Sequence, residues 1–161
     1  MSETKQPVAV VARDVAPRTR ESHYPAPFSQ RMAGRVKHAL GDVFELTEIG
    51  INLTRLAPGA QSALHHRHTA QEEFIYILSG CPVLVTDEGQ TTLRPGMCAG
   101  FVPRGSAHHL ANTTDGEVYY LEIGTRVSND AVHYPRDDLL AQADGSGKWT
   151  FARRDGTPYP G

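Results

Sequence analysis

The sequence predicts an all-β domain with a short arm at each end. Between Asp42 and Ile123, short apolar runs recur every eight to twelve residues, each bounded by a turn signal. No long stretch repeats its apolar residues with the 3.6-residue period of an amphipathic helix. The 161 residues, 39% hydrophobic and 21% charged, suffice for one packed domain but not for two of ordinary size.

Residues 1–41 read as an N-terminal arm, interrupted by Pro7, Pro17, Pro25 and Pro27. Val8 to Val11 has β propensity and could add an edge strand. Residues 42–127 read as the barrel, with strands near 43–47, 50–56, 63–67, 73–79, 82–86, 90–94, 98–102, 107–112 and 117–124. Pro58-Gly59, Ser79-Gly80, Asp87-Glu88-Gly89, Pro95-Gly96, Pro103-Arg104-Gly105 and Asp115-Gly116 supply the turns. Residues 128–161 read as a C-terminal arm. It opens with a short helix over 136–143, after Pro135, with Asp137 and Asp138 in its first turn and Gly145 beyond its end. A final strand over 148–153 and a turn-rich tail follow, and Trp149, the one tryptophan, is the expected anchor of this arm.

The run from Glu73 to Ser79 is apolar on both faces. Ile75 and Ile77 point one way, Phe74, Tyr76 and Leu78 the other. A strand of this kind needs cover on both sides. The second cover is expected from another sheet, the N-terminal arm or a second subunit.

A net charge of −2 and a pI near 6.4 leave no electrostatic footprint for nucleic acid. No apolar run approaches the roughly 20 residues that span a bilayer. Met-Ser-Glu-Thr-Lys-Gln-Pro has no apolar stretch behind it of the kind a secretory signal carries. Cys81 and Cys98 have neither metal nor redox spacing and read as reduced thiols. A cytoplasmic protein is the expectation.

The chemistry concentrates in His65-His66-Arg67-His68-Thr69-Ala70-Gln71-Glu72-Glu73. On a strand, His66 and His68 project to one side and a carboxylate follows. Imidazole nitrogens with a carboxylate oxygen suit a first-row divalent metal. A second pair, His108-His109, lies some forty residues on.

His66-x-His68-x4-Glu73-x6-Gly80 resembles the first motif of the cupin superfamily, and Pro103-x-Gly105-x2-His108-x3-Asn112 resembles the second. Gly59 and Gly96 each stand one residue from their usual place, and Met97 replaces a common aspartate, all of them in turns. The wider pattern is similar to small single-domain bacterial cupins. It runs through Glu72 to Gly80, Cys98 to Phe101, His108 to Asn112 and His133-Tyr134-Pro135. The resemblance implies a double-stranded β-helix, or jelly-roll barrel, and a homodimer. It also implies His66, His68, Glu73 and His108 as ligands of one divalent metal, Fe, Mn, Ni, Co or Zn. Glu72 and His109 stand as alternatives to Glu73 and His108, and His65 reads as facing away. An empty cluster of hydrogen-bonded histidines stands as the alternative to a metal site.

Such a set leaves coordination positions open, as a catalytic site requires. The expected function is a metal-dependent enzyme, an oxygenase, isomerase or lyase, acting on a small sugar-like molecule or organic acid. The alternative is a non-catalytic cupin that binds or senses such a ligand. Arg55 reads as solvent-facing; turned inward it could hold an anion. Asn112 reads as a turn former, and Tyr76, Tyr119 and Tyr120 read as packing residues.

Overall fold

The structure, a computed structural model, describes residues 6–19, 22–146 and 148–160. Residues 1–5, on which the reading of the N-terminus rests, lie outside them. Twelve strands follow in order: β1 Arg35–Ala39, β2 Ile49–Leu56, β3 Arg67–His68, β4 Glu73–Ser79, β5 Val83–Thr86, β6 Gly89–Thr92, β7 Cys98–Phe101, β8 His108–Ala111, β9 Val118–Thr125, β10 Ala131–His133, β11 Leu140–Ala143 and β12 Trp149–Ala152. One wall is the five-stranded sheet β1-β2-β9-β4-β7. The other is made of a four-stranded sheet, β12-β11-β10-β3, and a three-stranded sheet, β6-β5-β8. An isolated bridge between His66 and His108 joins those two pieces. The two walls make the jelly-roll barrel that the sequence predicts.

Two apolar clusters hold the walls together. Leu56, Ile75, Ile77, Leu84, Leu110, Val118 and Tyr120 fill one end of the barrel. Phe28, Met32, Leu64, Val132, Tyr134, Leu139 and Ala141 pack beneath the four-stranded sheet. Among the turns, the one at Gly80 tolerates only glycine. Its φ is +80°, and a Cβ there would sit 2.7 Å from the Glu117 carbonyl oxygen.

Four expectations are corrected. Residues 136–143 form no helix. The chain turns after Pro135 and enters β11, and Leu139 just before it, Ala141 and Ala143 are buried at period two. Arg154 fixes the turn by donating to the carbonyls of Tyr134, Pro135 and Asp137, and pairing with β10 and β12 outweighs local helix signals. The stretch 43–47 is not a strand: one helical turn, α1 (Leu40–Val43), reverses the chain from β1 into β2. Val8 to Val11 forms no strand, and Val8 is 94% exposed; the arm meets β1 instead through a bridge between Pro17 and His38. Of the strand near 63–67, only the His66 bridge and β3 remain. Within the stretch read as an N-terminal arm, β1 pairs with β2 from Arg35↔Leu56 to Ala39↔Asn52.

Strand β4 runs over the predicted residues and keeps its two faces. Glu73, Ile75 and Ile77 face the interior. Phe74, Tyr76 and Leu78 face outward, 39%, 39% and 42% exposed. No helix among the described residues is long and apolar enough to cross a membrane.

Candidate metal centre

The seam between the two smaller sheets creates the site. The His66 and His108 backbones exchange hydrogen bonds of 3.2 and 2.8 Å, which sets their rings 4.8 Å apart. His68 follows on β3, its ring 5.2 Å from that of His66. Glu73, the first residue of β4, reaches across from the opposite wall. Its Oε2 lies 3.0 Å from His108 Nε2 and 3.4 Å from His66 Nε2, and its Oε1 lies 3.6 Å from His68 Nε2.

Each ring is held from behind by its other nitrogen. His66 Nδ1 lies 2.8 Å from the Leu64 carbonyl oxygen, and His108 Nδ1 3.3 Å from that of Ser106. His68 Nδ1 meets the carboxylate of Asp130. Carbonyl and carboxylate oxygens only accept, so each Nδ1 carries the proton. Each ring is thereby fixed with its Nε2 turned toward Glu73, the orientation that metal ligation uses. Phe101 stacks parallel on His108 with centroids 3.4 Å apart.

Electrostatics follow from this crowding. Burial pushes the Glu73 carboxyl up, but the His66 charge and the close ring nitrogens of His108, His66 and His68 outweigh it and hold the group well below the usual carboxylate range. Burial disfavours a charged His68, yet the Asp130 and Glu73 carboxylates raise its ring to about 9. Burial lowers His108 against the pull of Glu73.

The ligand atoms of His66, His68 and Glu73 lie within 4.8 Å of one another, and His108 joins them through Glu73. The residues fit a divalent metal on a specific ground. Glu73 Oε2 is buried and makes no well-aligned hydrogen bond among the described residues, although two ring nitrogens stand within 3.4 Å. A buried anionic oxygen faced by ring nitrogens, each anchored through its Nδ1, is a donor set that suits a divalent cation.

The alternatives separate in space. His65 and His109 turn away together: His65 Nδ1 lies 3.1 Å from His109 Nδ1, and its Nε2 lies 2.9 Å from Asp87 Oδ1. Burial and the nearby His65 charge lower His109 to about 4. Glu72 is exposed and engages Thr125 only through its backbone. Arg55 pairs with Glu117 on the outer surface. Asn112 does form a turn, accepting from the Thr114 N–H and donating to the carbonyls of Leu56 and Gly116. Tyr120 is fully buried in the first core cluster, and Trp149 packs against the second.

The site opens into a cavity of about 370 Å³ whose lining includes Lys37, Asn52, Glu122, Tyr134 and Trp149. Sequence reasoning missed Asp130, which sits in a turn-like Ser-Asn-Asp stretch. It also missed Lys37, hidden in the supposed arm. Glu122 carried a signal: it falls on the same face of the predicted strand as Val118 and Tyr120, where a charge is out of place.

The solved structure of a sugar phosphate isomerase from a cupin superfamily, from Silicibacter pomeroyi, is 36% identical to this chain. It covers 94% of this chain and 96% of its own, with a TM-score of 0.88. The chain belongs to the cupin superfamily. The family model for the cupin domain matches residues 52–124 of this cupin. A candidate sugar phosphate isomerase from Acidithiobacillus ferrooxidans is 32% identical over 75% of this chain and 77% of its own, with a TM-score of 0.71. The polyketide cyclase RemF from Streptomyces resistomycificus is 20% identical over 73% of this cupin and 78% of its own chain, with a TM-score of 0.60, and shows the fold alone. No curated protein matches this cupin.

Proposed function

We propose that this cupin is a metal-dependent isomerase of a small sugar, with phosphorylated sugars as the first substrates to try. The convergence of three Nδ1-anchored histidines on Glu73 carries the proposal. In it, His66, His68, Glu73 and His108 hold one divalent transition metal. When bound, such a metal supplies a Lewis acid that polarises a carbonyl. The chain does the rest. Asp130 and the Leu64 and Ser106 carbonyls fix the rings before anything binds, so little reorganisation remains. Phe101 on one side and Tyr134 on the other, its ring 6.2 Å from that of His66, shield the site from bulk water. The two relatives above 30% identity support the choice of isomerisation, since both bear that description. The test is aldose–ketose interconversion across a panel of sugar phosphates by metal-loaded protein, with a chelator-treated control. Activity that survives complete metal removal would contradict it.

One observation favours a binding module instead. Glu122, the next inward carboxylate along the wall, is already engaged by Lys37 and Tyr120. A module of that kind would bind the same sugars with thermal stabilisation and no turnover.

A homodimer completes the proposal. On the outward face of β4, Phe74, Tyr76 and Leu78 are about two-fifths exposed, and Val102, which follows the neighbouring β7, is 67% exposed. Val8 and Val11 are exposed as well. A twofold partner covers the same patch on both copies at once.

A further inference from the structure

The inner face of the five-stranded wall carries polar groups that metal binding does not use. Register sets their order. Glu73 opposes Gly124, and two residues along β9, about 6.7 Å along the wall, Glu122 opposes both Ile75 and Asn52. Lys37 lies one step beyond Asn52, on β1, opposite Thr54. Its Nζ returns to Glu122 Oε1 at 2.5 Å, while Tyr120 donates to Glu122 Oε2 at 3.2 Å. Asn52 is only 8% exposed and lines the cavity, and its Oδ1 has no hydrogen-bond partner among the described residues.

A buried amide oxygen without a donor costs stability. An ammonium offers three donors, and the one side-chain partner found for Lys37 among the described residues is Glu122. Acceptor and donor capacity are therefore both left over, side by side, in a cavity large enough for a small ligand. The charges select what can fill it. Burial raises the Glu122 carboxyl, but Lys37 outweighs this and keeps it ionised. A phosphate or carboxylate at this end would face Glu122, and an amine would face Lys37 and Arg35, which also lines the cavity. A neutral group that both donates and accepts meets neither objection, and hydroxyl groups on adjacent carbons are such groups.

We propose that Asn52, Lys37 and Glu122 form a polyol-recognition subsite that takes the hydroxyl-bearing end of the substrate about one pleat along the wall from Glu73. It rests on the metal-dependent sugar isomerase reading and gives that substrate a direction. The hydroxylated chain lies along the five-stranded wall, and the carbonyl lies at the histidines.

The test uses ribitol, a neutral polyol, and inorganic phosphate as separate probes, with the Asn52 side-chain amide followed by NMR in chelator-treated and zinc-loaded protein. Ribitol is expected to shift that resonance saturably in both samples, and phosphate to leave it in place. Asn52→Leu should weaken ribitol binding about tenfold, the scale of one lost hydrogen bond to a neutral ligand. It should also raise the melting temperature, because it deletes an unsatisfied acceptor; a purely structural asparagine would lower it on replacement. The isosteric pair Lys37→Gln with Glu122→Gln should weaken ribitol by tenfold or more. An Asn52 amide that ribitol leaves unmoved, or that phosphate shifts saturably, overturns the subsite. Failure to bind metal would sink the isomerase reading without touching this resonance.

Discussion

His68 and Asp130, sixty-two positions apart, form one unit. The Asp130 carboxylate is fully buried, and besides His68 Nδ1 it accepts from the backbone N–H groups of Thr69, Ala70 and Gln71. One side chain therefore aims a candidate ligand and shapes the loop that carries the chain from β3 to Glu73. Asp130→Asn keeps the shape and removes the charge. It is expected to weaken metal binding about 10–100-fold, the usual cost of losing such a partner, measured by competition with a chromophoric chelator. Wild-type affinity in this variant would remove Asp130 from the site.

Glu73→Gln keeps the bulk of the residue while taking away the anion that three ring nitrogens face. Metal affinity is expected to fall by more than about 100-fold, beyond what an outer partner costs. Circular dichroism should stay that of the wild type, because Glu73 Oε2 makes no well-aligned hydrogen bond in the fold. Unfolding of the variant would show that Glu73 is structural.

The strand that delivers Glu73 is legible as an uninterrupted apolar run that ends at the Ser79-Gly80 turn. The two-residue period of a strand puts His66 and His68 on one side, and the spacing to Gly80 and Asn112 favours Glu73 and His108. What stayed hidden depends on long-range pairing. Asp130 acts only because β10 pairs with β3, Val132 opposite His68. Lys37 acts only because Arg35–Ala39 adds to the sheet edge beside β2. The stretch 136–143 reads locally as a helix, but its second half becomes β11 because neighbours on both sides pair with it.

Glu122 gives the fold an acid limit. Its folded carboxyl lies below the usual 4.5 because Lys37 outweighs burial. A depressed carboxyl contributes stability that is present above the ordinary value and lost as the pH falls through the folded one. Denaturant midpoints should therefore drop below about pH 4.5, and Glu122→Gln should flatten that slope. An unchanged slope in the variant would assign the acid limit to other carboxylates.

Leu78→Glu places a charge on the uncovered face of β4, where Leu78 is 42% exposed. Sedimentation is expected to show a dimer for the wild type and a monomer for the variant, with the barrel intact. A monomeric wild type would refute the twofold partner.

Metal content tests the central claim most directly. Protein purified without a chelating tag, then exposed to Mn, Fe, Co, Ni and Zn and dialysed, is expected to hold close to one divalent ion per chain by elemental analysis. His66→Ala and Glu73→Gln should hold none. Well-folded wild-type protein that retains no metal would contradict the account and leave the histidines a hydrogen-bonded cluster.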